Sequence, residues 1–297
     1  MPWRVGVVTP LLPSGKVRRW DDRVRPLPDN VRVYPSLQSA VADCSWDWIL
    51  AHNVNDLIDS RELRYPKVFL VHGTLSGRML QDGLVDRAAY LSGVRSLLAT
   101  YKCRVVYISA LKERDWGLPG DVIRTAINPK HYGGYRGDCS AVLQVSNHLK
   151  ERGAMLGWEI HREVCRDLPS LVLGENPNLP GSKVAESWEE LKGYYRTYRV
   201  YLHTALFPYE DGYNLASLEA MATGMPIATM AHPTSPIEDG VHGVVAQDAR
   251  ELRSKVLELL EDSSKAAKMG SAARGRLEQL FPLPEFQNAW NRLARSL

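Results

Sequence analysis

The sequence predicts an α/β protein of two Rossmann-like parallel-sheet domains facing across a cleft. Three observations carry this. Short apolar runs recur with helical stretches between them in both halves of the chain, the alternation that builds parallel sheets. Two of these runs end in small polar loops, His52-Asn53 and His72-Gly73-Thr74, at the place where open α/β sheets bind ligands. Gly133, Gly134 and Gly137 then interrupt the pattern and read as a hinge. A chain of 297 residues accommodates two such domains. The expected boundaries are 1–132 for the first, 133–283 for the second, and a final helix, 284–297, returning to the first.

Taken in order, residues 3–9 are an apolar run stopped by Pro10, a buried first strand. Residues 31–34 predict a second strand and 37–44 a short helix. Strands at 48–51 and 68–71 deliver Asn53 and His72 to their ends. Residues 79–101 predict one helix with Leu80, Leu84, Ala88 and Leu91 on a face, followed by a strand at 104–108. Beyond the hinge, a strand at 142–145 leads into a polar loop containing Asn147, Lys150 and Arg152. A helix over 155–165, a strand at 171–173 and a helix opening with a Ser187–Glu190 capping box come next. Strands at 200–202 and 227–230 bracket the central stretch. An amphipathic helix at 249–260 and a last helix near 285–297 close the chain.

The central stretch, residues 207–226, reads as a loop, a helix and a stop. Asn214 is placed to cap the helix, and Leu215, Leu218 and Ala222 lie on one apolar face. Gly224 suits a left-handed cap, and Pro226 prevents the helix from resuming. Gly212 and Tyr213 precede the cap, and Gly212 lets a ligand approach the backbone. The free amides of Leu215, Ala216 and Ser217, with the helix dipole, form a seat for a phosphate. Glu219, a turn further in, repels phosphate but can accept two hydrogen bonds from a diol such as a ribose. A phosphate seat flanked by carboxylates suits a nucleoside diphosphate carrying a sugar. An ordinary capped helix with solvated acids is the plain alternative.

Asp211 and Glu219 have seven residues between them, and the run Glu219-Ala220-Met221-Ala222-Thr223-Gly224-Met225-Pro226 follows. This resembles the donor-site signature of retaining GT-B glycosyltransferases, family 4 in particular, from about residue 140 to 281. The family's first acid is usually Glu; here it is Asp211, with Glu210 directly before it. The resemblance implies that Asp211 holds the sugar hydroxyls, Glu219 the ribose, and His72 the donor sugar from the first domain. It places the family's two diphosphate-binding basic residues at Asn147 and Arg152, a departure at the first. It also implies an acceptor-facing loop around Gly15 and Lys16, with Asn53 on the same side. The reaction it implies is transfer of a sugar from a nucleoside diphosphate sugar to an acceptor hydroxyl, with retention. A nucleotide-sugar epimerase or phosphorylase, or a non-catalytic nucleotide-sugar binder, is the rival reading.

Composition limits the remaining possibilities. No apolar run is long enough to span a bilayer and no signal peptide opens the chain, so a cytoplasmic protein is expected. Cys44, Cys103, Cys139 and Cys165 are scattered, which argues against zinc or disulfides. No Asp-x-Asp pair occurs, so no metal and no other cofactor is expected at the diphosphate. Residues 1–130 carry 19 basic against 13 acidic side chains, and residues 131–297 carry 18 against 21. The densest basic cluster is Lys16, Arg18, Arg19, Arg23 and Arg25, interspersed with Asp21 and Asp22. It reads as a solvated loop, with an anionic acceptor, a peripheral membrane contact or nucleic acid as alternatives. The acceptor stays open among a small molecule, a lipid-linked sugar, a polysaccharide and a modified nucleic acid.

Overall fold

A computed structural model of the chain describes residues 3–8 and 26–297. Gly15, Lys16 and the basic cluster lie outside the described residues. The chain begins with β1 (Val5–Val8), β2 (Val31–Tyr34), α1 (Leu37–Asp43) and β3 (Ile49–Ala51). It continues through α2 (Val54–Asp59), β4 (Lys67–Val71), α3 (Leu75–Asp82), α4 (Arg87–Thr100), β5 (Arg104–Tyr107), α5 (Ala110–Trp116) and β6 (Asp121–Val122). Among the described residues, β1 and β2 pair in parallel, and β3-β4-β5-β6 form a second parallel sheet in that order. Trp3, just before β1, meets Trp48 edge-on at 5.7 Å, which sets the small pair beside the larger sheet. β4 is buried at every position, as expected of a strand covered on both faces.

The expected single helix over 79–101 is two helices. Gly83 turns left-handed (φ 65°) and ends α3, and the Asp86 side chain caps α4. The apolar face read across this break is not the buried one. Leu80 and Ala88 are exposed, while Val94 and Leu98 enter the core.

After a 3₁₀ turn at Pro129–His131, the second half contains β7 (Cys139–Val145), α6 (Gly153–Leu156), α7 (Trp158–Val164) and β8 (Ser170–Leu173). Then come α8 (Trp188–Thr197), β9 (Tyr198–His203), α9 (Leu215–Thr223), β10 (Ile227–Met230) and β11 (Gly243–Ala246). The helices α10 (Ala249–Glu261), α11 (Ser263–Leu280) and α12 (Leu283–Arg295) complete it. The sheet order is β11-β10-β9-β7-β8, all parallel. The strand order reverses between β7 and β9, and in open α/β sheets the ligand crevice lies outside the strand ends at that point.

The helix expected over 155–165 is broken at Gly157, whose φ of 71° no β-branched residue tolerates. A Cβ there would lie 2.2 Å from the Thr204 carbonyl, so glycine lets the loop after β9 press against this turn. The capping box expected at Ser187 is half formed. Ser187 accepts from the Glu190 amide at 3.1 Å, but Glu190 accepts from the Glu186 amide at 2.6 Å, one residue before the cap.

Helix α9 sits at the centre of the second half. From Ser217 to Thr223 every residue is buried, with Leu218, Met221 and Ala222 in one core cluster. Leu215, expected on the apolar face, is instead exposed at the helix mouth. Helix α12 lies on the first half. Leu293 is buried with Val68, Leu70, Val106 and Ile123, and Trp290 stacks on Trp48 at 6.1 Å. A fully buried leucine of this kind contributes about 1.5–3 kcal/mol, so the chain end fastens the first sheet from behind. No described helix is long and apolar enough to cross a membrane.

Candidate active site

The loops after β7 and β9 meet at the switch point. Asn214 caps α9 through a reciprocal pair: its Oδ1 accepts from the Ser217 amide at 2.8 Å, and Ser217 Oγ accepts from the Asn214 amide at 2.8 Å. Of the three first-turn amides expected to be free, that of Ser217 is therefore consumed. Those of Leu215 and Ala216 are the open donors at the positive end of the helix.

Two acids lie before the cap, each with a cation. Glu210 Oε1 accepts from Arg152 at 3.1 Å, across the loops after β9 and β7. Burial raises the Glu210 carboxyl above its ordinary value, against the lowering pull of Lys112 and Arg152. Asp211 is ion-paired with Lys112 of α5, and both side chains are only 3% exposed. The other Asp211 oxygen accepts from Thr234 Oγ1 at 3.3 Å. This pair joins the halves of the chain, as does Thr74, whose hydroxyl donates to the Tyr209 carbonyl at 2.5 Å. Gly212 is used differently from expectation. A Cβ on it would lie 2.7 Å from the Ser235 amide nitrogen and 2.8 Å from the His232 ring, so the backbone it admits is the loop after β10. Tyr213 turns its ring against Phe281 at 4.9 Å, away from a ligand-facing position.

Glu219 is buried and fully engaged. Tyr132 donates to its Oε1 at 3.0 Å and Tyr195 to its Oε2 at 2.8 Å. Tyr132 also packs edge-on against Trp188 at 5.7 Å. These rings border an open concavity of about 670 Å³ that Lys130, His131 and Arg196 also line. A diol reaching Glu219 has to take the place of a tyrosine hydroxyl, and Tyr132 is the partner on the open side.

In the first half, His72 stands just past β4 and His52 just past β3. His52 Nδ1 and His72 Nε2 are 2.7 Å apart, joined by a hydrogen bond. Partial desolvation by the surrounding loops, then the neighbouring His52 and Lys112, lower His72 to about 4, although the residue keeps an exposed edge toward solvent. Asn53 caps α2, its Oδ1 accepting from the Asp56 amide at 3.1 Å and its Nδ2 donating to Asp56 at 3.0 Å. Both its polar ends are thus committed to the helix. One end of Asn147 is committed too: its Oδ1 accepts from the Glu175 amide at 2.8 Å and ties the loop after β7 to that after β8.

Arg152, Glu210, Asp211 and the open end of α9 are therefore brought together. Asn53 and Gly212 serve the surrounding backbone, Asn147 does so through its Oδ1, and Tyr213 packs on Phe281. Sequence reasoning missed Lys112 and Thr234 as partners of Asp211, and Tyr132 and Tyr195 as partners of Glu219. Lys112 carried one readable signal: it lies four residues before Trp116, on the buried face of α5. The tyrosines carried none, because 87 residues separate Tyr132 from Glu219. Among the described residues no group of three or more His, Cys, Asp or Glu side chains is arranged to hold a metal ion.

Residues 160–262 match the family model described as Glycosyl transferases group 1. No curated protein matches the chain by sequence. Among solved structures, sucrose-phosphate synthase from Thermosynechococcus elongatus superposes with a TM-score of 0.73 at 16% identity, covering 99% of this chain and 89% of that one. Anabaena HepE in complex with UDP gives 0.67 at 18% identity, covering 90% and 86%. HepE in complex with UDP-glucose gives 0.66 at 18% identity, covering 84% and 79%. At these identities the likeness is one of fold, and in fold the sequence's resemblance to GT-B glycosyltransferases is borne out.

Proposed function

We propose that this chain, which has the GT-B glycosyltransferase fold, moves a sugar from a nucleoside diphosphate sugar to an acceptor hydroxyl with retention of configuration. One observation carries the reading. Arg152, the acids Glu210 and Asp211, and the open amides of α9 converge where the strand order reverses. The group 1 match over residues 160–262 spans this helix and both acids. HepE, of the same fold, binds UDP and UDP-glucose, which supports a donor of that class here.

The chemistry follows from where charge develops. The bond from the anomeric carbon to the diphosphate breaks, and the acceptor oxygen bonds to the same face of that carbon. The acceptor proton passes to the leaving phosphate oxygen. As the diphosphate gains charge, the Leu215 and Ala216 amides and the Arg152 guanidinium hold it, and preorganised donors of this kind stabilise the transition state most. Asp211 orients the sugar hydroxyls by exchanging its Thr234 contact for them while Lys112 keeps its other oxygen, and Glu219 accepts the ribose diol in place of Tyr132. A cytoplasmic location is part of the same proposal, and the acceptor is a hydroxyl compound of unassigned class. Release of nucleoside diphosphate from UDP-, GDP- and ADP-hexoses, with and without acceptors, tests the reading. Acceptor-dependent release with glycoside formation is expected. Binding with no turnover on any acceptor points to a non-catalytic binder, and turnover without an acceptor to an epimerase or phosphorylase.

Two predictions arise here. Glu219→Gln should weaken nucleoside diphosphate binding by about 1.5–3 kcal/mol, the range for a hydrogen bond to a charged group. Calorimetry showing unchanged affinity in the folded variant removes the ribose assignment. The second concerns metals. The proposed diphosphate seat consists of amides and a guanidinium, so turnover should survive exhaustive EDTA treatment. Loss of turnover on chelation, with rescue by magnesium or manganese, overturns that picture of the seat.

A further inference from the structure

The His52–His72 contact has a role that the donor site leaves unused. At 2.7 Å, His52 Nδ1 and His72 Nε2 share one proton: one nitrogen donates and the other accepts. The ring planes lie within 5° of each other, so the bond also fixes the rotation of each ring. Two imidazolium rings cannot make this contact, because both nitrogens would carry protons.

The pair is supported from behind. The His52 backbone amide donates to Asp56 Oδ2 at 2.8 Å, and the other Asp56 oxygen accepts from Asn53 at 3.0 Å. Asn53 in turn caps α2. A chain of contacts therefore runs from the cap of α2 through Asp56 to His52 and on to His72. Two residues past His72, Thr74 fastens the backbone to Tyr209 of the other half. The charged groups acting on the pair are Asp56 beside His52 and Lys112 of α5 beside His72.

We propose that His52 is a positioning residue for His72: it occupies His72 Nε2 and so presents His72 to the donor sugar through Nδ1 alone. This rests on the proposed sugar transfer and on the role the resemblance implies for His72, contact with the donor sugar from the first half. An imidazole offers two nitrogens at different reaches from its backbone, Nδ1 next to Cγ and Nε2 one ring atom further out. Tying one of them selects which atom, and which tautomer, the substrate meets.

The test uses the full chain and the best donor of the hexose panel, with the thermal midpoint confirming that each variant folds. His52→Ala should lower kcat about tenfold, the scale of one lost positioning hydrogen bond, with nucleoside diphosphate affinity within about twofold of the parent. Without the His52 ring, protonation of His72 becomes easier, so the acid limb of kcat should move up from about 4. His52→Asn sets an amide nitrogen where Nδ1 stood and should recover most of the turnover. His72→Asn, with its amide at the Nδ1 place, should retain more turnover than His72→Gln. If His72→Ala is inactive but His52→Ala turns over normally, His52 is not a positioning residue while the functional reading stands. If His52→Asn is as slow as His52→Ala, the hydrogen bond is not its means of action and the inference is overturned. If His72→Ala itself is normal, the reading beneath it fails instead.

Discussion

Replacing Lys112 by Met should lower the stability of the folded chain by about 3–5 kcal/mol, the cost of leaving one charge of a buried ion pair without its partner. Asp211 is as buried as Lys112, and after the substitution Thr234, at 3.3 Å, is the only side chain among the described residues that addresses its carboxylate. Met matches the length of the lysine stem and fills its space, so the loss reports the charge rather than a cavity. The double variant Lys112→Met with Asp211→Asn should recover much of it, because a neutral amide bears burial better than a lone carboxylate. Thermal and urea unfolding of the two singles and the double give the coupling directly. Turnover should also fall in the single variant, since the contact holds α5 of the first half against the loop that carries both acids. A thermal midpoint within a degree of the parent would falsify the buried pair as a fastening between the halves.

The second large effect is expected at His72. The open amides of α9, Arg152 and Glu219 all belong to the second half, so the nucleotide should bind there without His72. A group that meets the sugar only when both halves surround it helps the transition state more than the bound nucleotide. His72→Ala should lower kcat by about 10²–10³, the scale of removing one preorganised donor, with nucleoside diphosphate affinity nearly unchanged. The pH profile gives an independent check. His72 is lowered to about 4, so it is neutral at pH 7 and kcat should be level through the ordinary histidine range, falling only near 4. A folded variant with near-normal turnover shows that the reacting face of the first half lies elsewhere.

The sign of the linked stability change is the same for three histidines. His161 and His203 are buried and lowered to about 4 by burial, and His72, though exposed at one edge, is lowered to about 4 by desolvation with His52 and Lys112 beside it. The unfolded chain binds these protons near the ordinary value of about 6.5, and the folded chain binds them only near 4. Their contribution is therefore complete above the unfolded value and is lost as pH falls through it toward 4.

Much of the second half was legible because its signals are local. Asn214, Gly224 and Pro226 mark α9 through capping and chain-breaking chemistry, and the helix runs from Leu215 to Thr223 as those residues require. The seven-residue spacing put Asp211 before the cap and Glu219 a turn inside the helix. Where the reading failed, a distant neighbour decided the matter. Residues 79–101 carry a plausible apolar period, yet Gly83 breaks it with a left-handed turn. Residues 155–165 are good helix formers, yet the Thr204 carbonyl occupies the space beside Gly157.

The candidate site divides along the same line. The sequence alone determined which groups are present: a capped helix start, two adjacent acids, a third acid inside the helix, an arginine after the first strand of its sheet and a histidine after β4. Only the tertiary structure decided what each group meets. It turned Asn147 and Asn53 into braces for their own loops, gave Glu219 to two tyrosines, and paired Asp211 with a lysine 99 residues away. The physical reason is range. Caps, turns and helix faces are set by residues within about one turn of each other, so they can be read along the chain. The partner of a buried charge is whichever group the packed sheets and helices bring into contact, and no spacing in the sequence encodes that.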